Sequence, residues 1–267
     1  AGTTFDWTNN SPTIGLGGAG TGDIASFTGL NAGAAPTVAT ITVTPTAGGC
    51  VGLAETFTIT VNPIPNVFAG NDFIICEGSQ AILTGSGALN YDWTAPVVNG
   101  QAFVPVATGT YTVTGTDANG CINTDDVLVT VEPLPVVSFT ADVTSGCAPL
   151  TVTFTNTTGG NLTDCVWTFG NGTTLNGCGS VTTTFPNGGL FDVTLTTTSA
   201  NGCSNSDTYI DYIYVEDNPI ASFVPSSSVV SVFNSEILFS NTSTGAVSYE
   251  WEFGDNTPMS TVVNPLH

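Results

Sequence analysis

Apolar and polar residues alternate along many short segments of this chain, with Val, Ile, Leu or Phe at every second position and mostly Thr between them. Such segments lie at 39–44, 56–61, 110–114, 127–131, 150–154 and 193–195. Successive side chains of a β-strand point to opposite faces, so this period is typical of strands with one buried and one solvent-exposed face. Gly and Pro interrupt the chain at short intervals, and no segment shows a convincing helical pattern. The sequence therefore predicts an all-β protein.

Several segments return at a constant interval. Trp167-Thr-Phe-Gly is followed 84 residues later by Trp251-Glu-Phe-Gly. Two more pairs repeat at an offset of 84 or 85 residues: 135–139 with 219–223, and 152–158 with 237–243. A fixed interval of this kind indicates tandem modules, each of which forms one small β-sandwich.

Strand ends followed by Pro-x-Pro segments place the boundaries between modules. They predict module 1 at 1–62 (N-terminally incomplete), module 2 at 63–133, module 3 at 134–218 and module 4 at 219–267 (C-terminally incomplete). Each module then contains one Trp. Since the linkers are short and proline restricts its own torsion, we expect the sandwiches to form an extended string.

The charge composition excludes several kinds of partner. The 267 residues include 21 Asp and Glu, one His and no Lys or Arg. Phosphate recognition and attraction to anionic lipid both depend on Lys and Arg, so nucleic acid is not expected as a partner. No apolar segment is long enough to span a bilayer, which argues against direct membrane insertion. Lys and Arg are absent and the one His, His267, is terminal, so we expect no Ser-His-Asp or Cys-His set and no enzyme activity.

Acidic residues near the ends of modules raise the alternative of structural calcium. The candidates are Asp125 with Asp126, Glu216 with Asp217, and Asp207 with Asp211. Calcium prefers carboxylate oxygens, but none of these segments has the spacing of an EF-hand loop. The prediction is therefore no cofactor, with calcium between modules as the alternative to test.

Four cysteines occupy matching places in two modules. Cys76 precedes an alternating strand and Cys121 follows an Asn-Gly turn in module 2; Cys147 and Cys203 do the same in module 3. Six cysteines allow 15 connectivities. The correspondence between modules favours the pairs Cys76–Cys121 and Cys147–Cys203, each joining loops at one pole of its sandwich.

The remaining cysteines follow from that choice. Cys165 and Cys178 lie in one module on either side of the Trp167 strand and form the third predicted pair. Disulfides of this kind are typical of oxidising, extracellular surroundings, whereas unpaired buried thiols are the alternative. Cys50 is left over, and we expect its partner upstream of Ala1 or, as the alternative, a free reactive thiol.

The repeated Trp segments resemble the W-D-F-G-D-G signature of PKD (polycystic kidney disease) domains, which are Ig-like β-sandwiches. The residues that carry the resemblance are Trp167, Phe169 and Gly170, and then Trp251, Phe253 and Gly254. The segments 189–195 and 264–267 resemble two further elements of the family. We interpret the aromatic pairs as core anchors; a ligand platform is the alternative.

Module 3 departs from the family pattern. Thr168 and Asn171 stand at the two acidic positions, and Thr183 and Phe185 stand where the family has His and Tyr. These departures argue against a polar or metal-binding role for this turn in module 3, whereas the sandwich itself is still expected.

Modules 1 and 2 resemble the PKD-like and Ig-like repeats of very large Bacteroidetes surface proteins, through the segments 5–10 and 109–121. Such proteins include gliding-motility adhesins exported by the type IX secretion system. The resemblance implies a non-catalytic spacer in an acidic filament or adhesin at the bacterial cell surface. Expected partners are other modules of the same chain and outer-membrane secretion or anchoring proteins, with surface polysaccharide as a further candidate. The alternatives are a polysaccharide- or protein-binding module and an accessory region of a secreted hydrolase.

Overall fold

The computed structural model describes residues 2–233 and 235–267, and the chain divides into two compact units, Ala1–Pro133 and Leu134–His267. Strands dominate both units. Within the described residues the helical content is one 3-10 turn at Pro12–Ile14. The all-β prediction is therefore confirmed, and each module is described below by itself with the residue ranges predicted from the sequence.

Module 1 contains one antiparallel sheet of five strands, in which β3 pairs with β1, β4 and β5, and β2 pairs with the far side of β1. The strands are β1 (Thr4–Asn9), β2 (Ala19–Thr21), β3 (Thr37–Ala47), β4 (Cys50–Val51) and β5 (Glu55–Val61). Loop residues take the place of a second sheet: Ile14 and Leu16 are buried, and Ile24 and Phe27 pack beside them. The Gly- and Ala-rich stretch 29–36 lacks alternation, which explains why no strand forms there.

Module 2 is a two-sheet sandwich. Its strands are β6 (Phe73–Cys76), β7 (Ala81–Ile82), β8 (Asn90–Trp93), β9 (Ala102–Phe103), β10 (Gly109–Thr116) and β11 (Ile122–Glu132). Four strands form one sheet in the order β6-β11-β10-β8, and β7 pairs with β9 in the other. All pairs are antiparallel except that of β6 with β11, the last strand of the module, which is parallel.

Module 3 is the most complete sandwich. Its strands are β12 (Phe139–Ala141), β13 (Ser145–Cys147), β14 (Leu150–Asn156), β15 (Leu162–Phe169), β16 (Thr174–Asn176), β17 (Ser180–Phe185), β18 (Gly189–Ser199) and β19 (Ser204–Glu216). One sheet has the order β12-β14-β17 and the other β13-β19-β18-β15-β16. The edge strand β13 runs parallel to β19, as β6 does to β11 in module 2.

Module 4 has a shorter sheet. β20 (Phe223–Pro225) pairs with β21 (Phe239–Asn241), and isolated bridges join Ile220 to Thr244, Leu238 to Leu266 and Trp251 to Ser260.

Separate apolar cores lie within the first three modules. Trp7 and Ile41 belong to the first and Trp93 and Val113 to the second. The third is the largest, and its buried members are Val137, Phe139, Ala148, Val152, Phe154, Cys165, Trp167, Phe169, Phe185, Val193, Leu195, Ile213 and Val215. Full burial of a Val, Leu, Ile or Phe side chain stabilises the folded state by about 1.5–3 kcal/mol. The alternating Thr residues lie mainly on the outer faces, as the pattern predicted, whereas the exact module boundaries remain predictions.

Both Asn-Gly turns form tight hairpins, but only their glycines take a positive φ. Gly120 has φ 81° and Gly202 has φ 83°. Gly120 N–H donates to the Asp117 carbonyl, and Gly202 N–H donates to the Ser199 carbonyl in the same way. This arrangement is a type I turn closed by a glycine bulge, not a two-residue turn with positive φ at both positions.

Candidate functional site

The Trp-x-Phe pair of module 3 lies on the inner face of β15. Trp167 and Phe169 are 0% and 2% exposed. The Trp167 ring meets Phe139 edge-on at 5.2 Å, and its Nε1–H donates to the Gly177 carbonyl at 2.9 Å. Both rings are enclosed and the indole donor is used, so neither offers a face to a ligand. The pair acts here as a core anchor.

Gly170 comes directly after Phe169, where the chain turns in close contact with β18. Its N–H donates to the Asp192 carbonyl at 2.9 Å. A Cβ at this position would lie 3.0 Å from the backbone nitrogen of Asp192 and 3.2 Å from Cα of Phe191. Backbone atoms cannot give way as a side-chain tip can, so glycine is required by the close approach.

Asn171 ties this turn to the opposite sheet. Its Oδ1 accepts a hydrogen bond from the N–H of Thr173 at 2.9 Å, and its Nδ2 donates to the Thr184 carbonyl at 3.0 Å. The same Nδ2 lies 3.5 Å from Oγ1 of Thr183. The neutral amide therefore connects the β15–β16 turn to β17 without any charge.

Module 4 places a hydrogen bond between a carboxyl group and an imidazole at the corresponding position. Oδ2 of Asp255 lies 2.8 Å from Nε2 of His267, and the imidazole stacks on Phe253 with ring centroids 4.0 Å apart. Hydrogen bonds from the Thr257 hydroxyl and backbone N–H, and then from His267, lower the pKa of Asp255 to about 2. Gly254 supplies the positive φ of the turn, at 80°.

One predicted disulfide is present. Cys165 and Cys178 are bonded with their Cα atoms 4.9 Å apart, and the bridge joins β15 to the loop after β16. Cys165 is buried beside the Trp167 core. The bridge therefore fixes the loop that also receives the indole hydrogen bond.

The pair Cys76–Cys121 predicted in module 2 is wrong. Cys121 is a free thiol in the structure. Cys76 lies opposite Glu132 at the end of β11, whereas Cys121 directly precedes the start of the same strand. Eleven strand residues at about 3.3 Å each separate the two positions by roughly 36 Å. A disulfide requires Cα atoms within about 7 Å, so the two cysteines lie at opposite poles.

The pair Cys147–Cys203 predicted in module 3 is wrong for the same reason. Cys147 is a free, exposed thiol. It lies opposite Glu216 at the end of β19, and Cys203 directly precedes the start of that 13-residue strand. The distance along the strand is on the order of 40 Å. Cys50 is an exposed thiol without a partner among the described residues, and its pairing upstream of Ala1 stays a prediction.

Two of the acidic residues considered for calcium accept backbone hydrogen bonds. Oδ2 of Asp125 accepts the N–H of Ala69 at 2.8 Å, and Oδ1 of Asp217 accepts the N–H of Gly188 at 2.7 Å. Across residues 2–233 and 235–267, no group of three or more His, Cys, Asp or Glu side chains could hold a metal ion. Asp125 therefore holds a loop to β11, Asp217 joins the segment after β19 to the segment before β18, and calcium between modules stays a prediction to test.

Two asparagines that the sequence interpretation missed fasten the Pro-x-Pro linkers. Nδ2 of Asn123 in β11 donates to the Pro65 carbonyl at 3.0 Å. Nδ2 of Asn205 in β19 donates to the Pro135 carbonyl at 2.9 Å. The signal was available, because each asparagine stands two residues after the cysteine of a shared Ala-Asn-Gly-Cys segment. Each linker is thus attached to the last strand of the module that it precedes.

The fold and its core define tandem Ig-like β-sandwiches, and comparison with known proteins agrees with this class. Residues 130–215 match the family described as PKD domain. The chain therefore contains a PKD/Ig-like repeat, of a kind that fits a structural or adhesion module. No curated protein matches the chain in sequence, and no helix in the described residues is long and apolar enough to cross a membrane.

Several solved structures are similar to parts of this chain. The PKD1 domain of the Vibrio cholerae metalloprotease PrtV is 31% identical over 31% of this chain and 98% of that domain, with a TM-score of 0.27. The PKD1 domain of Vibrio anguillarum Epp is 26% identical over 31% of this chain and 96% of its own length, with a TM-score of 0.27. A Ca2+-stabilised, ice-binding adhesin of an Antarctic bacterium is 16% identical over 91% of this chain and 74% of its own, with a TM-score of 0.37.

Proposed function

We propose that this chain is a non-catalytic, load-bearing spacer of a secreted cell-surface adhesin or filament. The observation that carries the proposal is the parallel pairing of an early edge strand with the last strand in two successive modules. We propose further, from the family resemblance alone, that the parent protein acts in gliding motility or surface adhesion and leaves the cell by type IX secretion.

The parallel pairing sets how a module responds to tension. In module 3, tension pulls the N-terminal end of β13 and the C-terminal end of β19 in opposite directions. Because the two strands run parallel, they must slide along each other, and their evenly spaced hydrogen bonds are loaded together. An antiparallel pair pulled at neighbouring ends would instead open one bond at a time. The arrangement suits a module that carries force from its first strands to its last.

The hydrogen bonds to the linkers also support the load-bearing role. Asn123 and Asn205 hold the carbonyls of Pro65 and Pro135 against the last strand of the following module. Proline already restricts its own φ, so the hydrogen bond removes much of the remaining freedom of the segment. A linker fastened in this way limits bending at the entrance to each module.

The net charge and the disulfide support the proposal that the protein is secreted. The Cys165–Cys178 disulfide indicates an oxidising compartment. A net charge of −21 without any Lys or Arg makes neighbouring chains repel one another, which favours solubility and discourages self-association. We therefore propose an extracellular location at the bacterial surface, where partners include other modules of the same chain and the proteins that anchor it.

Single-molecule force spectroscopy on the whole chain tests the proposal. We expect discrete unfolding events, among which the module 3 event lengthens under reducing conditions. The disulfide spans 13 residues with Cα atoms 4.9 Å apart. At about 3.3–3.6 Å per extended residue, reduction releases roughly 40 Å of additional contour length. Smooth extension at low force without discrete events would refute the load-bearing role.

Two proline variants separate shear resistance from general stability. Ala148 N–H donates to the Glu216 carbonyl, and alternate residues face the same neighbour, so the N–H of Gly146 also faces β19. Gly146→Pro removes that donor from the loaded pair. Leu175→Pro removes a donor from β16, the opposite edge strand, which the load does not cross. We expect only Gly146→Pro to lower the unfolding force of module 3, although both lower its melting temperature; equal losses of force would contradict the shear argument.

A further inference from the structure

Asn-Gly dipeptides occur at six places in the chain, and in each the asparagine can react with its own backbone. They are Asn99-Gly100, Asn119-Gly120, Asn171-Gly172, Asn176-Gly177, Asn187-Gly188 and Asn201-Gly202. The amide nitrogen of glycine, which no Cβ shields, can attack Cγ of the preceding asparagine. The rate in a folded protein depends on whether the carboxamide is free to turn and whether the glycine nitrogen can leave its hydrogen bond.

Asn119 is the least restrained of these asparagines. It is exposed, and its carboxamide has no hydrogen-bond partner in the described part of the chain. The Gly120 N–H donates to the Asp117 carbonyl at 3.2 Å, the longest bond made by a glycine nitrogen of the six dipeptides. A Cβ placed at Gly120 would meet no atom within 4 Å, so the turn has room to rotate. The equivalent turn of module 3 has a shorter Gly202 bond of 3.0 Å, so we rank Asn201 second.

Hydrogen bonds to the side chain protect two of the other asparagines. Oδ1 of Asn99 accepts the N–H of Gly85 at 2.8 Å and the Nε1–H of Trp93 at 3.0 Å. Asn171 uses both ends of its carboxamide, in bonds to the neighbouring backbone and to β17. These bonds must break before Cγ can meet the glycine nitrogen, so both asparagines are expected to react slowly while their modules are folded.

Two further sites are restrained at the glycine itself. The Gly177 N–H donates to the Cys165 carbonyl at 2.9 Å, and the Gly177 carbonyl accepts the Nε1–H of Trp167 at 2.9 Å. The Gly188 N–H donates to a carboxyl oxygen of Asp217 at 2.7 Å. A negative charge beside that nitrogen disfavours loss of its proton, which the attack requires. The asparagines that precede these glycines are therefore expected to react slowly as well.

We propose that Asn119 is a site of spontaneous deamidation in the folded protein. The Gly120 nitrogen loses its proton and attacks Cγ of Asn119, the bond from Cγ to Nδ2 breaks, and ammonia leaves with that proton. Water then adds to either carbonyl of the cyclic imide and opens it to aspartate or isoaspartate. One water enters and one ammonia leaves, so the reaction needs no oxidant, cofactor or enzyme.

The modified turn loses contacts that hold the start of β11. Oδ1 of Asp117 accepts the N–H of Asn119 at 2.8 Å and the N–H of Cys121 at 2.9 Å. A new carboxylate at position 119 repels that of Asp117, and isoaspartate adds a carbon atom to the main chain of the turn. We therefore expect faster hydrogen exchange at Cys121, beside the strand from which Asn123 holds the linker. This inference concerns chemical ageing of the folded chain and does not depend on the load-bearing role.

Incubation of the whole chain in isotopically labelled water tests the proposal, because each modified residue takes up one labelled oxygen. Peptide mass spectrometry then gives the rate at each Asn-Gly site, in the folded protein and in the chain unfolded by urea. The unfolded rates are the reference. We expect Asn119 to react in the folded protein at a rate close to its reference. Asn99 and Asn171 should react at least about tenfold more slowly than theirs, since their hydrogen bonds must break first.

Asn119→Gln is the matched control, because cyclisation through the longer side chain needs a larger ring and is much slower. An exposed side chain without partners can be replaced in this way without loss of the fold. The variant should lose most of the acidic species that ion exchange separates from the aged protein. Three results would overturn the proposal: protection of Asn119 equal to that of Asn171, an equal yield of acidic species from the variant, and folded rates that match the reference at all six sites.

Discussion

Replacement of Trp167 by Ala tests whether the Trp-x-Phe segment is a core anchor. The side chain is fully enclosed and meets Phe139, Phe154 and Phe169. Truncation of such a side chain costs about 3–5 kcal/mol, because the transfer energy is lost and a cavity is left. The total stability of a module of about 85 residues is roughly 4–13 kcal/mol. The substitution therefore removes a large share of the stability of module 3.

The matched control is Trp251→Ala, the same change at the equivalent position of module 4. Trp251 is only half-buried and lines an open cavity. Its removal leaves no enclosed void and discards a donor that has no partner in the described residues. We expect a loss of about 1 kcal/mol or less, in line with partial burial.

Hydrogen exchange in the whole chain measures each module separately. A loss of 3–5 kcal/mol accelerates exchange of the β18 amides by roughly 100- to 4,000-fold, since about 1.4 kcal/mol corresponds to a factor of ten. The β11 amides of module 2 should not change, because their core shares no residue with that of module 3. The reasoning fails if Trp167→Ala accelerates β18 exchange less than tenfold, or if Trp251→Ala affects module 4 as strongly.

Four further predictions concern individual contacts. Replacing both Cys165 and Cys178 by Ser should lower the free energy of unfolding by about 3 kcal/mol in urea titrations, since a short loop is released; an unchanged midpoint would contradict this. Cys147 should react with iodoacetamide in the folded protein, and a protected Cys147 would restore the intramodule pairing rejected above. Asn205→Ala should cost about 1 kcal/mol and speed exchange in the preceding linker, because the proline carbonyl loses its donor; equal effects on distant amides would refute a local clamp. The Asp255 carboxyl should titrate near pH 2 by NMR, and its contribution should be intact above pH 3.8 and lost as pH falls through about 2, since its pKa is lowered by folding; a midpoint near 3.8 would show that the hydrogen bonds from Thr257 and His267 do not stabilise the carboxylate.

Strand positions could be predicted from the sequence because burial follows the alternation directly. The segments 39–44 and 56–61 lie within β3 and β5, and 150–154 lies within β14. In β14, Val152 and Phe154 face the core, and the intervening Thr153 lies on the outer face. A period of two therefore indicates which side chains of these segments face the core.

Which cysteines lie close together could not be predicted in the same way. Correspondence between modules shows that Cys76 and Cys147 occupy equivalent places, but it does not show which pole they occupy. That depends on the direction of β6 and β13, two short edge strands without an alternating pattern. Because both run parallel to the last strand, their cysteines meet its far end. Strand direction is a tertiary property that local pattern does not encode.

The two versions of the turn show what the signature residues do. Module 3 joins its turn to the facing strand through Asn171 near Thr183, and module 4 places Asp255 against His267 at the same positions. One pair is neutral and the other contains an acid and an imidazole, yet the two pairs stand at equivalent positions of the sequence. A role that a neutral amide can fill does not require a carboxylate. The second acidic residue of the signature therefore serves to fix the turn to the facing strand. Module 3 has Asn171 at this position, and its sandwich is still closed.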